Sequence, residues 1–324
     1  MAEWLIERGI GEDRAILLDR GEVRSARLFR PGPLAAGLVA YARLISSASG
    51  ARRGTLLFDN GEEALVDALP ADAREGAPLR AVITRAAIAE TGRYKRSQAR
   101  PSNDAPRAAP SLVQALKASG LPVRIVRRFP DDPWPEILAE AFDGQVPFAG
   151  GTLHVSPTPA MTLIDIDGAA PPLPLALAAV PAIVDAIGRL DLAGSIGIDF
   201  PTLERREDRR ALDDALTAAL SHWPHQRTAI NGFGFVQLVA RLERPSILAT
   251  IRQDPVRAGA LLLLRQAERV EEPGTLTLRA HPRVIGAVTP NWRDELARRT
   301  GRRLSWQSDA GLALLGGFAQ AIAA

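Results

Sequence analysis

Asp165, Asp167 and Asp199 are the residues whose type and spacing could do chemistry. Asp165 and Asp167 interrupt the apolar run of Leu163, Ile164 and Ile166, and Asp199 ends a second run, Gly194-Ser195-Ile196-Gly197-Ile198. On a strand, residues two apart face the same way, so Asp165 and Asp167 share a face. Segment 173–190 between the runs reads as an apolar helix interrupted by Pro181. A strand–helix–strand unit brings its two strands side by side, and the acids then converge at one end of a sheet. Clustered carboxylates repel one another unless a cation lies between them. Oxygen ligands of this kind suit Mg²⁺, which keeps part of its water shell for substrate. Such an ion lowers the pKa of a bound water and stabilises the charge of a phosphoryl-transfer transition state. One aspartate in an apolar run more often caps a turn or pairs with arginine; three on two buried strands make a stronger case for a metal site.

The elements that must position these acids belong to a chain of 324 residues, 46% apolar and 24% charged, long enough for more than one compact unit. The net charge of +3 is a weak pointer to a polyanion, so the placement of charge matters more than its sum. The absence of cysteine excludes disulfides and thiolate metal sites and permits a reducing compartment. The opening AEWLIERGIGEDR is too charged for a secretion signal, and apolar stretches such as 173–184 are broken by proline and fall short of a membrane span. A soluble, cytoplasmic chain with no membrane partner is expected.

Ile16–Leu18 and Val23–Phe29, separated by Asp19-Arg20-Gly21-Glu22, read as a hairpin. Short β-like runs follow over 35–90, with turns at Asn60-Gly61 and Glu75-Gly76, and predict a small barrel. Residues 91–110 begin basic and end with linker composition. Ser111 is the expected N-cap of a short helix over 111–119, and Gly301 the expected C-cap of a helix begun near Asn291. The helix after Arg205 places Leu212, Leu216 and Leu220 at four-residue spacing.

For a nucleic-acid partner, Arg93, Tyr94, Lys95, Arg96 and Arg100 supply cations and an aromatic ring at the edge of the barrel, and Phe58 is a candidate for stacking on a base. Each has a plainer alternative, a solvated linker for the basic run and a core position for Phe58. Arg205, Arg206, Arg209 and Arg210 could reach phosphate, but Glu204, Glu207 and Asp208 nearly balance them, which favours a salt-bridged helix face. His222 and His225 have ligand-like spacing, but Pro224 breaks a helix there and no third ligand is near in sequence, so zinc is not expected.

The strings LIDIDGA (163–169), LAGSIGIDF (192–200) and INGFGFVQLVARLERPSI (230–247), in that order, resemble the ribonuclease E/G family. The approach QVPFAGGTLHVSPTPAMTLIDID (145–167) is also similar, as are TLTLRAHPRVIGAV (275–288) and ELARRTGRRLSW (295–306). The resemblance implies a multi-domain α+β fold. Its RNase H-like/DNase I-like mixed α/β catalytic core would carry an inserted S1-like (OB) β-barrel and a small C-terminal α/β domain. The implied divisions are 1–34, an N-terminal hairpin of the RNase H-like part; 35–100, the barrel; 101–160, linker and remainder of the RNase H-like part; 161–250, the DNase I-like core; and 251–324, the small C-terminal domain.

The family's two metal carboxylates fall on Asp165 and Asp199, and its supporting asparagine falls on Asp167, which keeps an oxygen but loses the NH₂ donors. The implied activity is Mg²⁺-dependent endonucleolytic hydrolysis of single-stranded RNA, with Mn²⁺ as an alternative ion and products bearing a 5′-phosphate and a 3′-hydroxyl. The departures are specific. RQDPVRAG (252–259) stands where the family has its zinc link, so no zinc is expected and any homodimer must form without it. The segment between the barrel and residue 123 is too short for the family's 5′-phosphate sensor, and ALAAV (176–180) replaces a polar helix. The other expectation is therefore a non-catalytic RNA-binding protein that retains the fold.

Overall fold

The computed structural model describes residues 1–30, 32–48, 52–90 and 93–323, with only the backbone of 89, 90 and 93. Strands β1 (Glu3–Arg8), β2 (Asp13–Asp19) and β3 (Glu22–Phe29) form an antiparallel run, and the left-handed Arg20 and Gly21 make the expected β2–β3 turn. Then comes the barrel: β4 (Val39–Ser47), β5 (Arg53–Phe58), β6 (Glu63–Asp67) and β7 (Pro78–Arg85), a small hairpin β8 (Ile88–Glu90) and β9 (Arg93–Lys95), and the closing strand β10 (Ser97–Pro101). The five barrel strands close in the order β10-β6-β5-β4-β7, with β10 parallel to β6 and the other neighbours antiparallel. Inward Leu44, Leu56, Val66, Ile83 and Ala99 alternate with more exposed residues, which is the period-2 pattern that builds the barrel core. The basic segment is thus partly strand: Ser97 and Ala99 face in, and Arg100 faces out, so linker begins only after Pro101.

Helix α1 (Leu112–Lys117) starts at Ser111, whose side chain and Gln114 form a reciprocal capping box. It leads to β11 (Val123–Val126), which returns to lie parallel beside β1. Trp4 and Ile6 of β1 pack with Leu112 and Leu116 of α1. Leu5, between them, points into the main core. Helix α2 (Trp134–Asp143) follows, then β12 (Gln145–Phe148), β13 (Gly151–Pro157) and β14 (Thr162–Gly168) as an antiparallel meander. Helix α3 (Pro172–Arg189) crosses to β15 (Gly194–Asp199), which is parallel to β14. Then come α4 (Arg206–Ala219), β16 (Gln226–Arg227) and β17 (Phe235–Ala240), completing a six-stranded sheet of order β12-β13-β14-β15-β17-β16.

Pro181 does not interrupt α3, contrary to the sequence expectation. It lies on the exposed side, where water can serve the carbonyl that proline leaves unpaired. Leu175, Ala179, Ile183, Ala186 and Ile187 of α3 bury against Ile164, Ile166, Ile196, Ile198, Val236 and Leu238 of the sheet. Among the described residues, α3 is the one helix long and apolar enough to cross a membrane, and this face of it is occupied by the core. Gly188 lets α3 approach β3, since a Cβ there would lie 2.2 Å from the Arg24 carbonyl oxygen.

Helices α5 (Ile247–Gln253) and α6 (Pro255–Glu268) lead to β18 (Thr275–Ala280), α7 (Pro282–Ala287), α8 (Pro290–Thr300), β19 (Leu304–Ser308) and β20 (Phe318–Ile322). The strands order as β19-β18-β20 over their own core of Leu261, Leu264, Leu276, Leu278, Val284 and Leu296. Gly301 ends α8 in the left-handed conformation, as its sequence position predicts.

A buried ionic network joins this end of the chain to the first strands. Glu7 and Glu12 meet Arg14, Arg30, Arg265 and Arg269. Arg14 stacks on Trp134, 4.9 Å from the ring centroid. Burial pushes the Glu12 carboxyl up, but the combined charge of Arg14, Arg30 and Arg265 outweighs it and holds the group below its usual range.

Candidate functional site

Asp165 and Asp199 are register partners on the parallel pair β14–β15. Neighbouring strands lie about 4.8 Å apart, and register partners point to the same face, so the two carboxylates stand side by side. Ile164, Ile166 and Ile198 take the core face, leaving Asp165, Asp167 and Asp199 exposed on the other. Among the described residues, neither Asp165 nor Asp199 is neutralised by an arginine. The expected strand–helix–strand unit thus sets Asp165 beside Asp199 on adjacent strands.

His154 on β13 lies opposite Asp165 in the register, and its Nε2 is 3.7 Å from the outer carboxylate oxygen of Asp167. That separation is longer than a hydrogen bond, so the two groups are neighbours and not a bonded pair. Sequence reasoning passed over His154. Its signal was the alternation Leu153, His154, Val155, which turns the imidazole outward on the strand hairpinned to LIDID.

Among the described residues, no three His, Asp or Glu side chains are gathered closely enough to cage a metal. Two neighbouring carboxylates on an open face nevertheless suit Mg²⁺, which binds through one or two carboxylates together with waters and substrate phosphates. The donors are oxygen only, so they fit Mg²⁺ or Mn²⁺ better than a softer ion.

Beside Asp199 the face becomes apolar. A Cβ on Gly197 would lie 2.6 Å from the Phe235 ring and 2.8 Å from the Met161 sulfur, so glycine is what lets Phe235 lie across β15. Phe235 is itself the register partner of Asp199. The preceding loop is fixed by Asn231, whose side-chain oxygen accepts from the backbone N–H groups of Phe233 (2.9 Å) and Phe235 (3.1 Å).

At the start of α4, Arg209 donates to the carbonyls of Leu203 and Glu204, and Arg205 makes a 3.4 Å pair with Glu207. Arg206 and Arg210 are exposed and, among the described residues, unpaired with acid. The expected salt-bridged face is therefore only partly built.

The basic segment is not beside the acids. Lys95 lines a cleft with Ile88, Thr158, Met161, Ser195 and Arg252 at the entry ends of β14 and β15. Ser195 precedes Asp199 by four residues, about 13 Å of strand. Tyr94 is 64% exposed, Arg96 pairs with Glu63 at 3.0 Å, and Arg100 shares a shallow cleft with Arg52, Arg53 and Asp67. The side chain of Arg93 lies outside the described residues. Phe58 is corrected: only 4% exposed, it packs with Leu44, Leu56 and Val66 inside the barrel and has no free ring face for a base. The outward aromatic of the barrel is Tyr41, with Arg80 over its ring at 5.9 Å.

No protein-family model matches the chain, and no curated protein matches it in sequence.

Proposed function

We propose that the protein is a Mg²⁺-dependent endoribonuclease of the ribonuclease E/G type acting on single-stranded RNA. The observation that carries this is the register pairing of Asp165 with Asp199 on adjacent parallel strands, both exposed and, among the described residues, free of arginine. The closed barrel, whose strands run around it in the order first, second, third, fifth, fourth with the third and fifth parallel, supports an S1-like OB assignment for 35–100. By the same resemblance, β1–β3 with β11 correspond to the RNase H-like part and the six-stranded sheet to the DNase I-like core.

Asp165 and Asp199 would hold the ion, Mg²⁺ or Mn²⁺. When bound, that ion supplies charge neutralisation at the scissile phosphate and a more acidic attacking water. Asp167 stays on the same face, with His154 Nε2 3.7 Å away, a neighbour placed to orient it from outside the metal pair. Arg206 and Arg210 are available to phosphates on either side of the cut. In-line displacement of the 3′ oxygen leaves a 5′-phosphate and a 3′-hydroxyl. An open sheet face suits an unstacked strand better than a duplex. The cysteine-free composition agrees with a cytoplasmic setting.

The apolar ALAAV (176–180), standing where the family has a polar helix, favours the second reading, RNA binding without cleavage. Fluorescent single-stranded RNA incubated with Mg²⁺, Mn²⁺ or EDTA separates the two. Metal-dependent cleavage that disappears in both Asp165→Asn and Asp199→Asn supports the nuclease; retention of RNA without cleavage under any ion supports the binder.

A further inference from the structure

Phe233 is the most exposed aromatic side chain among the described residues, with 82% of its surface in solvent. It is not on a loose loop. Asn231 spends its side-chain oxygen on the N–H groups of Phe233 and Phe235, its own N–H donates to the Phe235 carbonyl (3.0 Å), and its carbonyl accepts from Gly234 (3.1 Å). Gly234 has φ +90° and lies so close to Phe200 that a Cβ would come within 2.3 Å of the Phe200 carbonyl. The N–H of Phe200, the residue after Asp199, donates to the Gly234 carbonyl at 3.2 Å. Gly234 and these hydrogen bonds therefore fix the backbone that carries an apolar ring into water. Its position is two residues, at most about 7 Å of chain, from the partner of Asp199.

We propose that Phe233 is a base-stacking platform: a subsite that takes one unstacked nucleobase of the strand whose phosphate lies at Asp165 and Asp199. The proposal rests on the nucleic-acid reading above and adds the residue that grips a base there. A flat aromatic face carried on an ordered backbone accepts any base, because every base has a π-face. Phosphate recognition is left to arginine, so contact with the base and contact with the backbone are separable.

The test measures anisotropy of a short fluorescein-labelled oligouridylate and of an abasic strand of equal length, both in EDTA so that cleavage plays no part. Wild type should prefer the base-bearing strand. Phe233→Ala should lose about tenfold affinity for it and none for the abasic strand, while Phe233→Tyr stays within about threefold of wild type. Equal losses for both strands, no loss in Phe233→Ala, or no preference in wild type would overturn the platform. Cleavage is assayed separately with Mg²⁺. Base-dependent loss without any cleavage by wild type leaves the platform standing and sinks the nuclease, and normal cleavage with no base-dependent loss does the reverse.

Discussion

Arg265 of α6 sets its guanidinium 2.9 Å from the Glu7 carboxylate of β1, across 258 residues of chain. Both are almost wholly buried, and Arg269 meets the same carboxylate from the side facing Asp132. Removing one partner of such a pair leaves a buried charge unmatched, which costs far more than the pair gains over an apolar replacement. Glu7→Gln should lower unfolding stability by about 3 kcal/mol in a urea titration. Raising the salt concentration should change the wild-type midpoint little, because buried pairs are weakly screened.

Glu140 on α2 gives a pH dependence. Burial pushes its carboxyl up to about 7, against the pull of Arg189 at 2.9 Å and with the help of Glu136 and Asp185. A raised carboxyl pKa favours the protonated group in the folded state. Its stabilising contribution is complete below the unfolded value, declines as pH rises and is gone above about 7. Wild type should lose on the order of 2 kcal/mol between about pH 5 and pH 8 from this group, and Glu140→Gln should flatten that slope.

Asp165 and Asp199 are like charges on one rung of a sheet, which is unfavourable without a cation. In EDTA, Asp199→Asn should melt at or slightly above the wild-type temperature, within about 0.5 kcal/mol of it. Mg²⁺ should raise the wild-type melting temperature and leave the variant where it was. A shift of equal size in both proteins would remove the ion from this pair.

Under the proposed nuclease reading, His154→Ala should slow RNA cleavage about tenfold with little change in RNA binding, because the imidazole lies beside Asp167. His154→Gln, which keeps a donor near the same oxygen, should recover part of that loss. Single-turnover kinetics beside a binding isotherm separates the two effects.

Local signals were readable where the period of the chain and its caps agree. Ser111, Gly301 and the alternation that puts Ile164 and Ile166 inward and Asp165 and Asp167 outward are of this kind. The pairing of Asp165 with Asp199 followed because a helix between two apolar strands has one favoured way to return. Phe58 was harder, since alternation within β5 alone does not say which face closes over a barrel core. Pro181 misled because its cost depends on whether water can reach the freed carbonyl, which is a property of the packed helix. His154 needed a strand partner to acquire meaning, and the Glu7–Arg265 pair has no local signature at all.

The barrel enters and leaves through a single doorway. Val39 and Arg107 exchange reciprocal backbone hydrogen bonds of 3.0 and 2.9 Å, and β11 then resumes beside β1 as though the excursion had not occurred. A cassette clasped at its neck still touches its host elsewhere: Ala86 donates to the Glu243 carbonyl at 3.3 Å, and Ile88 and Lys95 line the cleft at the entry ends of β14 and β15. Joining the chain across that neck with a short turn would therefore bare that cleft to water, and a foreign five-stranded cassette grafted there would have to cover it again.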